Sequence, residues 1–235
     1  MCRNVFKKSR LFLWLWIIAY ALLNGACHIQ GTKVSDKGKM PRPVINKVVV
    51  MGFRAAMSQG EKSDVFQDPL SGGIYMAEPV SHDVVKKMTA FLFDSLVAEK
   101  KYILIPPGQA KGAFSNIIDL DRNMAISTVK IIQEVGKTFG ANAVLIGYIS
   151  RWREREGSDY AINRPASVAF DLNLVSPADG TVLWRGRFDK TQRSLFENLF
   201  DFSTFKEGGG RWMTADKLAM CGLKKLLTEM PEKQR

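Results

Sequence analysis

Histidine is scarce in this 235-residue sequence, with only His28 and His82 present. That leaves little material for Ser-His-Asp or Cys-His catalysis, and no GxSxG, HExxH, Walker loop or Rossmann glycine fingerprint appears. Cysteine is almost as rare. Three are present, with no CxxC and no Cys/His metal spacing, so neither a disulfide framework nor a zinc site is expected. His82 falls in the first turn of an expected helix and reads as an exposed residue. Cys221 sits in the apolar helical pattern Leu218, Cys221, Leu223, Leu226, where a thiol serves as a small hydrophobe. The stretch Asp119-Leu120-Asp121-Arg122-Asn123 has the outline of a calcium loop but lacks its central glycine and terminal glutamate, and reads as a loop leading into a helix. Gly208-Gly209-Gly210 follows no strand and reads as a hinge rather than a phosphate cradle. No catalytic residue, metal ligand or cofactor is assigned.

There is one long hydrophobic run, and it is informative. Arg3, Lys7, Lys8 and Arg10 precede thirteen apolar residues, Leu11 to Leu23, followed by Asn24-Gly25-Ala26-Cys27. This is the grammar of a bacterial export signal. A cysteine after small residues points to a lipoprotein signal spanning 1–26, with Cys27 acylated and becoming the new N-terminus. Asn24 stands where such signals usually carry leucine, which keeps an uncleaved inner-membrane signal anchor or soluble secretion open as alternatives. Thirteen apolar residues are about two-thirds of the roughly 20 that span a membrane. His28, rather than aspartate, follows the cysteine, which under the enteric sorting rule implies the outer membrane, facing the periplasm.

Acidic residues are outnumbered, and the net charge is +11. Four of the basic residues and none of the acidic ones precede Cys27, so the remainder carries +7. A basic envelope protein can meet anionic lipid or acidic glycan, whereas export makes nucleic acid an improbable partner. Residues 27–44 are polar, contain Gly31, Gly38, Pro41 and Pro43, and read as a lipidated cysteine with a flexible tether reaching about 20–25 Å.

A single domain is expected over 45–230. The β-branched run 45–53 predicts a buried strand, 54–80 reads mostly as loop, and Ser81 caps a helix running to about Glu99. Tyr102–Ile105 is a short strand stopped by Pro106-Pro107, and the glycine-containing residues that follow, up to the next helix, read as loop. A second helix, carrying Ile126, Val129, Ile132, Val135 and Phe139, ends at Gly140. Three strands follow: 143–149, continuing into charged residues; 167–175, alternating as if one face were wet; and 181–188, after the Asp179-Gly180 turn. A helical segment around 195–202 and a final helix capped by Thr214 complete the chain. The order β-α-β-α-β-β-β-α-α predicts an α/β (α+β) fold with one mixed sheet and helices packed on it. Val48–Val50, Ile103–Ile105 and Val144–Ile146 are expected in interior strands, with Phe91, Leu92, Val129 and Val135 facing them.

Long charged and aromatic side chains cluster where a strand becomes a ribbon. Arg151, Trp152, Arg153 and Arg155 lie beside a connection containing Gly157, Tyr160 and Pro165, and Trp184, Arg185 and Arg187 lie on a following strand. Arginine with tryptophan or tyrosine is the composition of interface cores, so Arg151, Trp152, Arg153 and Arg155 are the candidate partner-binding residues. Cross-strand charge pairing on a solvated ribbon is the plainer alternative.

Phe139-Gly140-Ala141-Asn142-Ala143-Val144-Leu145-Ile146-Gly147, together with Asp179-Gly180-Thr181-Val182-Leu183-Trp184, resembles exported bacterial lipoproteins with a TolB-N-terminal/CsgG/LpoB-like α/β domain. The resemblance covers about 45–190 in element order. It implies a fold, lipid anchoring and an envelope location, and no catalytic residue. Long alternating segments able to form membrane-spanning hairpins are lacking, which argues against a pore. The expected function is non-enzymatic: a protein attached to the membrane by its acyl anchor, docking an envelope protein or glycan in surface assembly, transport or cell-wall synthesis, with oligomers possible. An envelope enzyme acting on glycan or lipid, or a binding module for an anionic ligand, are the alternatives.

Overall fold

A computed structural model describes residues 45–120, 127–158, 162–192 and 212–231. The signal 1–26, Cys27, the tether, Asp121 to Asn123, Tyr160, the 195–202 segment and Gly208–Gly210 lie outside the described residues.

The chain builds an α/β structure on a five-stranded mixed sheet. Its strands are β1 (Lys47–Ala55), β6 (Ile103–Ile105), β7 (Ala143–Arg153), β10 (Ser167–Val175) and β11 (Val182–Thr191), in the order β11-β10-β7-β1-β6. β1 runs parallel to β6 and β7, whereas β10 is antiparallel to β7 and β11. Four short strands fall between β1 and the first helix: β2 (Met57–Ser58), β3 (Asp64–Gln67), β4 (Ile74–Ala77) and β5 (Pro79–Val80). Two more, β8 (Glu156–Gly157) and β9 (Ile162–Arg164), follow β7. The helices among the described residues are α1 (His82–Glu99), α2 (Pro107–Leu120), α3 (Thr128–Thr138) and α4 (Ala215–Thr228).

Parallel strands need helical crossovers, and these cover both faces of the sheet. On one face Val48, Val50, Leu145, Phe170, Leu172 and Leu174 join Met88, Leu92 and Leu96 of α1 and Leu218 and Leu223 of α4. On the other, Val49, Val144, Ile146 and Val175 meet Ala110 of α2 and Ile132 and Val135 of α3. This double burial explains why the β1 and β7 sequences are continuously apolar rather than alternating. Phe91 packs against the first core as expected. Val129 sits close to the Asp-Gly turn, where a Cβ on Gly180 would lie 2.6 Å from its side chain.

The helix ends follow local chemistry. Ser81, Ser127 and Thr214 each accept a backbone N–H from three residues on. Gly140, at φ +56°, closes α3: its N–H donates to the Lys137 carbonyl and that of Ala141 to the Gly136 carbonyl, both at 2.9 Å. Gly136 brings α3 close to the sheet, since a Cβ there would lie 2.4 Å from the Pro177 ring.

Several expectations are corrected. Ile103–Ile105 is an edge strand, with Ile103 54% exposed, because β6 pairs only with β1. The strand β10 is buried on both faces instead of being half wet. Residues 107–120, read as loop, are helical: Pro107 stops the strand but occupies the first helical position, where a missing N–H costs nothing. Residues 54–80 hold a β-hairpin rather than loop alone, with Asp64↔Ala77 to Gln67↔Ile74 in register.

Candidate functional site: a polar cleft beneath a hairpin

The β10 sequence alternates because its two faces meet different neighbours. Phe170, Leu172 and Leu174 enter the apolar core, while Asp171 and Asn173 point to the side where β3 and β4 fold over the sheet. The hairpin's inward residues are aromatic: Phe66 packs on Tyr75 and on Tyr148 of β7, each with ring centroids 5.4 Å apart. Its turn is braced by Asp68, 2% exposed, whose carboxylate accepts from the Leu70 N–H at 3.0 Å and from the Ser71 hydroxyl.

Asp171 is the hub of the cleft. One carboxylate oxygen accepts from the Tyr75 hydroxyl at 2.9 Å and the other from Asn173 Nδ2 at 2.9 Å. Asn173 Oδ1 in turn accepts from Arg185 Nε at 2.7 Å. The antiparallel register places Arg187 opposite Asp171 and Arg185 opposite Asn173. The Arg187 guanidinium lies over the Tyr75 ring, 4.2 Å from its centroid. Tyr75, Asp171, Arg185 and Arg187, with Asp68, Ser71, Gly73 and Ile74, line a cleft of about 350 Å³.

Burial dominates the acid–base behaviour of this site. Asp171 is pushed up to about 6, first because burial disfavours its charge and also because Asp68 is nearby; the Tyr75 hydroxyl, Arg187 and Asn173 oppose the rise. Burial and then Asp171 hold the Tyr75 phenol well above its usual range, and burial lifts Tyr148 to about 12. A carboxyl raised from 3.8 to about 6 binds more protons in the folded than in the unfolded state between those values. Its contribution to stability therefore falls as pH rises through that window, and the full penalty applies above it. Asp171→Asn keeps a carbonyl for Asn173 and an amide that the Tyr75 oxygen can accept, without the buried charge. The expected result is a variant more stable than wild type at pH 8, by up to about 3 kcal/mol, and no more stable at pH 4. Urea unfolding at the two pH values measures it; a variant with no gain at pH 8 relative to pH 4 would show that ionisation of Asp171 costs the fold nothing.

The candidate residues Arg151, Arg153 and Arg155 are each held by the fold. Arg151 Nε donates to Ser167 Oγ at 2.7 Å, and its terminal nitrogen pairs with Asp189. Arg153 binds Glu78 through two nitrogens, with Nε at 2.8 Å, and Arg155 donates to the Trp212 carbonyl at 2.6 Å. Trp152 points to the opposite face and packs against the first core. Asp189 also approaches Arg187 at 3.5 Å, so Arg151 and the cleft share one chain of polar contacts. His82 is the exposed first residue of α1, and Cys221 is half-buried beside the core.

Sequence reading noted Arg185 and Arg187 but not the cleft. Asp68 and Tyr75, on one hairpin, are far in sequence from Asp171 and meet it only when that hairpin folds over β10. The available signal was Asp171 and Asn173 within an otherwise apolar strand.

No family model matches this chain, and no curated protein matches its sequence. Among solved structures, it is similar to the LpoB C-terminal domain from Escherichia coli, at 15% identity over 64% of this chain and 85% of that one, TM-score 0.38. It is likewise similar to lipoprotein GNA1162 from Neisseria meningitidis, at 15% identity over 68% and 94%, TM-score 0.38. The PelC dodecamer from Paraburkholderia phytofirmans is a third similar structure, at 14% identity over 82% and 91%, TM-score 0.44.

Proposed function

We propose that this chain is a lipid-anchored protein of the bacterial cell envelope that acts by docking a partner rather than by catalysis. The observation that carries the reading is the N-terminal sequence: a basic start, thirteen apolar residues, Gly25-Ala26-Cys27, and then a polar stretch ahead of the first strand. An acyl group on Cys27 would confine the α/β unit to within the tether's reach of a membrane, raising its effective concentration near membrane-bound partners. His28 favours the outer membrane, facing the periplasm.

The docking surface in this reading includes Arg151, Arg153 and Arg155, while Trp152, on the other face of the strand, anchors it to the core. Internal carboxylates and carbonyls fix the guanidiniums in place, and Arg153 remains 51% exposed, so an acidic protein surface or glycan would meet a largely preset donor array. The test has two arms. Cells producing Cys27→Ala and given labelled fatty acid should yield an unlabelled protein released from the membrane fraction; label on that variant would defeat the anchor. Arg151→Ala combined with Arg153→Ala should lose the cross-linked envelope partner of the wild type, at a stability cost of about 1 kcal/mol or less per site. Full retention of that partner by the folded double variant would defeat the docking assignment.

A further inference from the structure

We propose that the cleft beneath the β3–β4 hairpin binds an acidic sugar unit, a pyranose-sized ring carrying a carboxylate or a phosphate, with Arg185 and Arg187 taking the oxyanion and Asp68 and Asp171 accepting from ring hydroxyls. The inference is independent of lipid anchoring and of the Arg151–Arg155 surface.

The arginines are its first support. Arg185 and Arg187 stand two residues apart on one face of β11, and each is held by the fold through only part of its guanidinium. Arg185 gives Nε to Asn173 Oδ1, and Arg187 lies on the Tyr75 ring. Among the described residues no carboxylate lies within ion-pair reach of Arg185, and Arg187 has only Asp189 at 3.5 Å, an acid that also pairs with Arg151. Both residues are exposed, so the N–H groups of Arg185 beyond its Nε, and those of Arg187 beyond the long contact to Asp189, are positioned and open to a ligand. A planar fork in this state suits carboxylate or phosphate.

The positioning itself comes from below. Asp171, 4% exposed, and Asn173, 0% exposed, hold Tyr75 and Arg185 in place through the bonds already described. Burying a carboxylate to orient two exposed arginines is costly if the arginines only meet water.

The remaining walls select the ligand class. A carboxylate has about four acceptor positions. Asp68 and Asp171 each use two in the bonds given above, so both retain capacity for ligand hydroxyls. The Ser71 hydroxyl, which donates to Asp68 and accepts the Gly73 N–H at 3.0 Å, keeps one acceptor position. Ile74, 68% exposed at the lip, provides an apolar surface for the C–H face of a sugar ring. A bare anion would leave the acidic floor facing it, whereas a neutral sugar would leave the arginines unused. The cleft volume of about 350 Å³ lies at the lower end of small-molecule sites.

The test is calorimetric titration of the full chain in detergent with glucuronic acid, glucose 6-phosphate, glucose and inorganic phosphate. Both acidic sugars should bind saturably, and glucose and inorganic phosphate at least about tenfold more weakly. The tighter of the two acidic sugars identifies whether the oxyanion is carboxylate or phosphate. Arg185→Gln with Arg187→Gln should weaken the acidic sugar by about tenfold to a hundredfold, and Lys137→Ala on α3 should leave it unchanged. If the double variant fails to fold, Arg185→Lys carries the test, since it keeps the charge, loses the fork and should still weaken binding. Absence of saturable binding, glucose binding as tightly as glucuronic acid, phosphate matching glucose 6-phosphate, or affinity indifferent to the arginine changes would each overturn the proposal.

Discussion

Phe170→Ala is expected to destabilise the protein by about 3–5 kcal/mol, the range for removing a fully buried aromatic side chain. Phe170 is 1% exposed on β10, next to the central strand β7. Its ring meets Phe53 edge-on at 5.5 Å and Phe188 in a tilted arrangement at 5.3 Å, so it joins β1, β10 and β11 through one aromatic cluster. Those neighbours sit on hydrogen-bonded strands and have little freedom to collapse into the space, and this places the cost high in the range. Phe170→Leu keeps most of the volume and should cost considerably less. Urea unfolding followed by far-ultraviolet circular dichroism measures both. Equal midpoints for Phe170→Ala and wild type would mean that the cluster is not part of the cooperative core.

Gly52→Ala is the second large expected effect, about 2–4 kcal/mol from backbone strain and overcrowding together. Gly52 lies at the bulge in β1, where the register with β7 shifts between Val50 and Gly52, and its φ is +79°. A Cβ there would lie 2.3 Å from Thr89 Cγ2. Thr89 cannot simply rotate away, because its hydroxyl accepts the Phe53 N–H at 2.9 Å beside the bulge. The new methyl would therefore either hold a strained backbone or break that bond. Combining Gly52→Ala with Thr89→Ser, which removes the Cγ2 methyl nearest the new Cβ and keeps a hydroxyl for the Phe53 N–H, should recover part of the crowding cost and leave the conformational part. If the double variant is no more stable than Gly52→Ala alone, the clash with Thr89 is not the cause.

These sites show how far local sequence reaches. The caps at Ser81 and Thr214, the Gly140 stop and the Asp179-Gly180 turn were readable because each depends on residues within a few positions. The runs 47–53 and 143–149 announced buried strands because apolar residues on both faces leave no polar alternation. Residues 107–120 were misread because a double proline that ends a strand also suits the first turn of a helix.

By itself, then, the sequence determined the class of fold, the buried strands β1 and β7, and the helices α1, α3 and α4, since each rests on periodicity or on a short-range hydrogen bond. Tertiary structure alone decided that β6 lies at an edge, since strand order depends on partners rather than on composition. It also decided that the polar residues of β10 are buried. Asp171 and Asn173 read as a wet face until the hairpin, nearly a hundred residues earlier, brings Tyr75 over them. The cleft and its arginine pair exist only through that long-range contact, which no local pattern encodes.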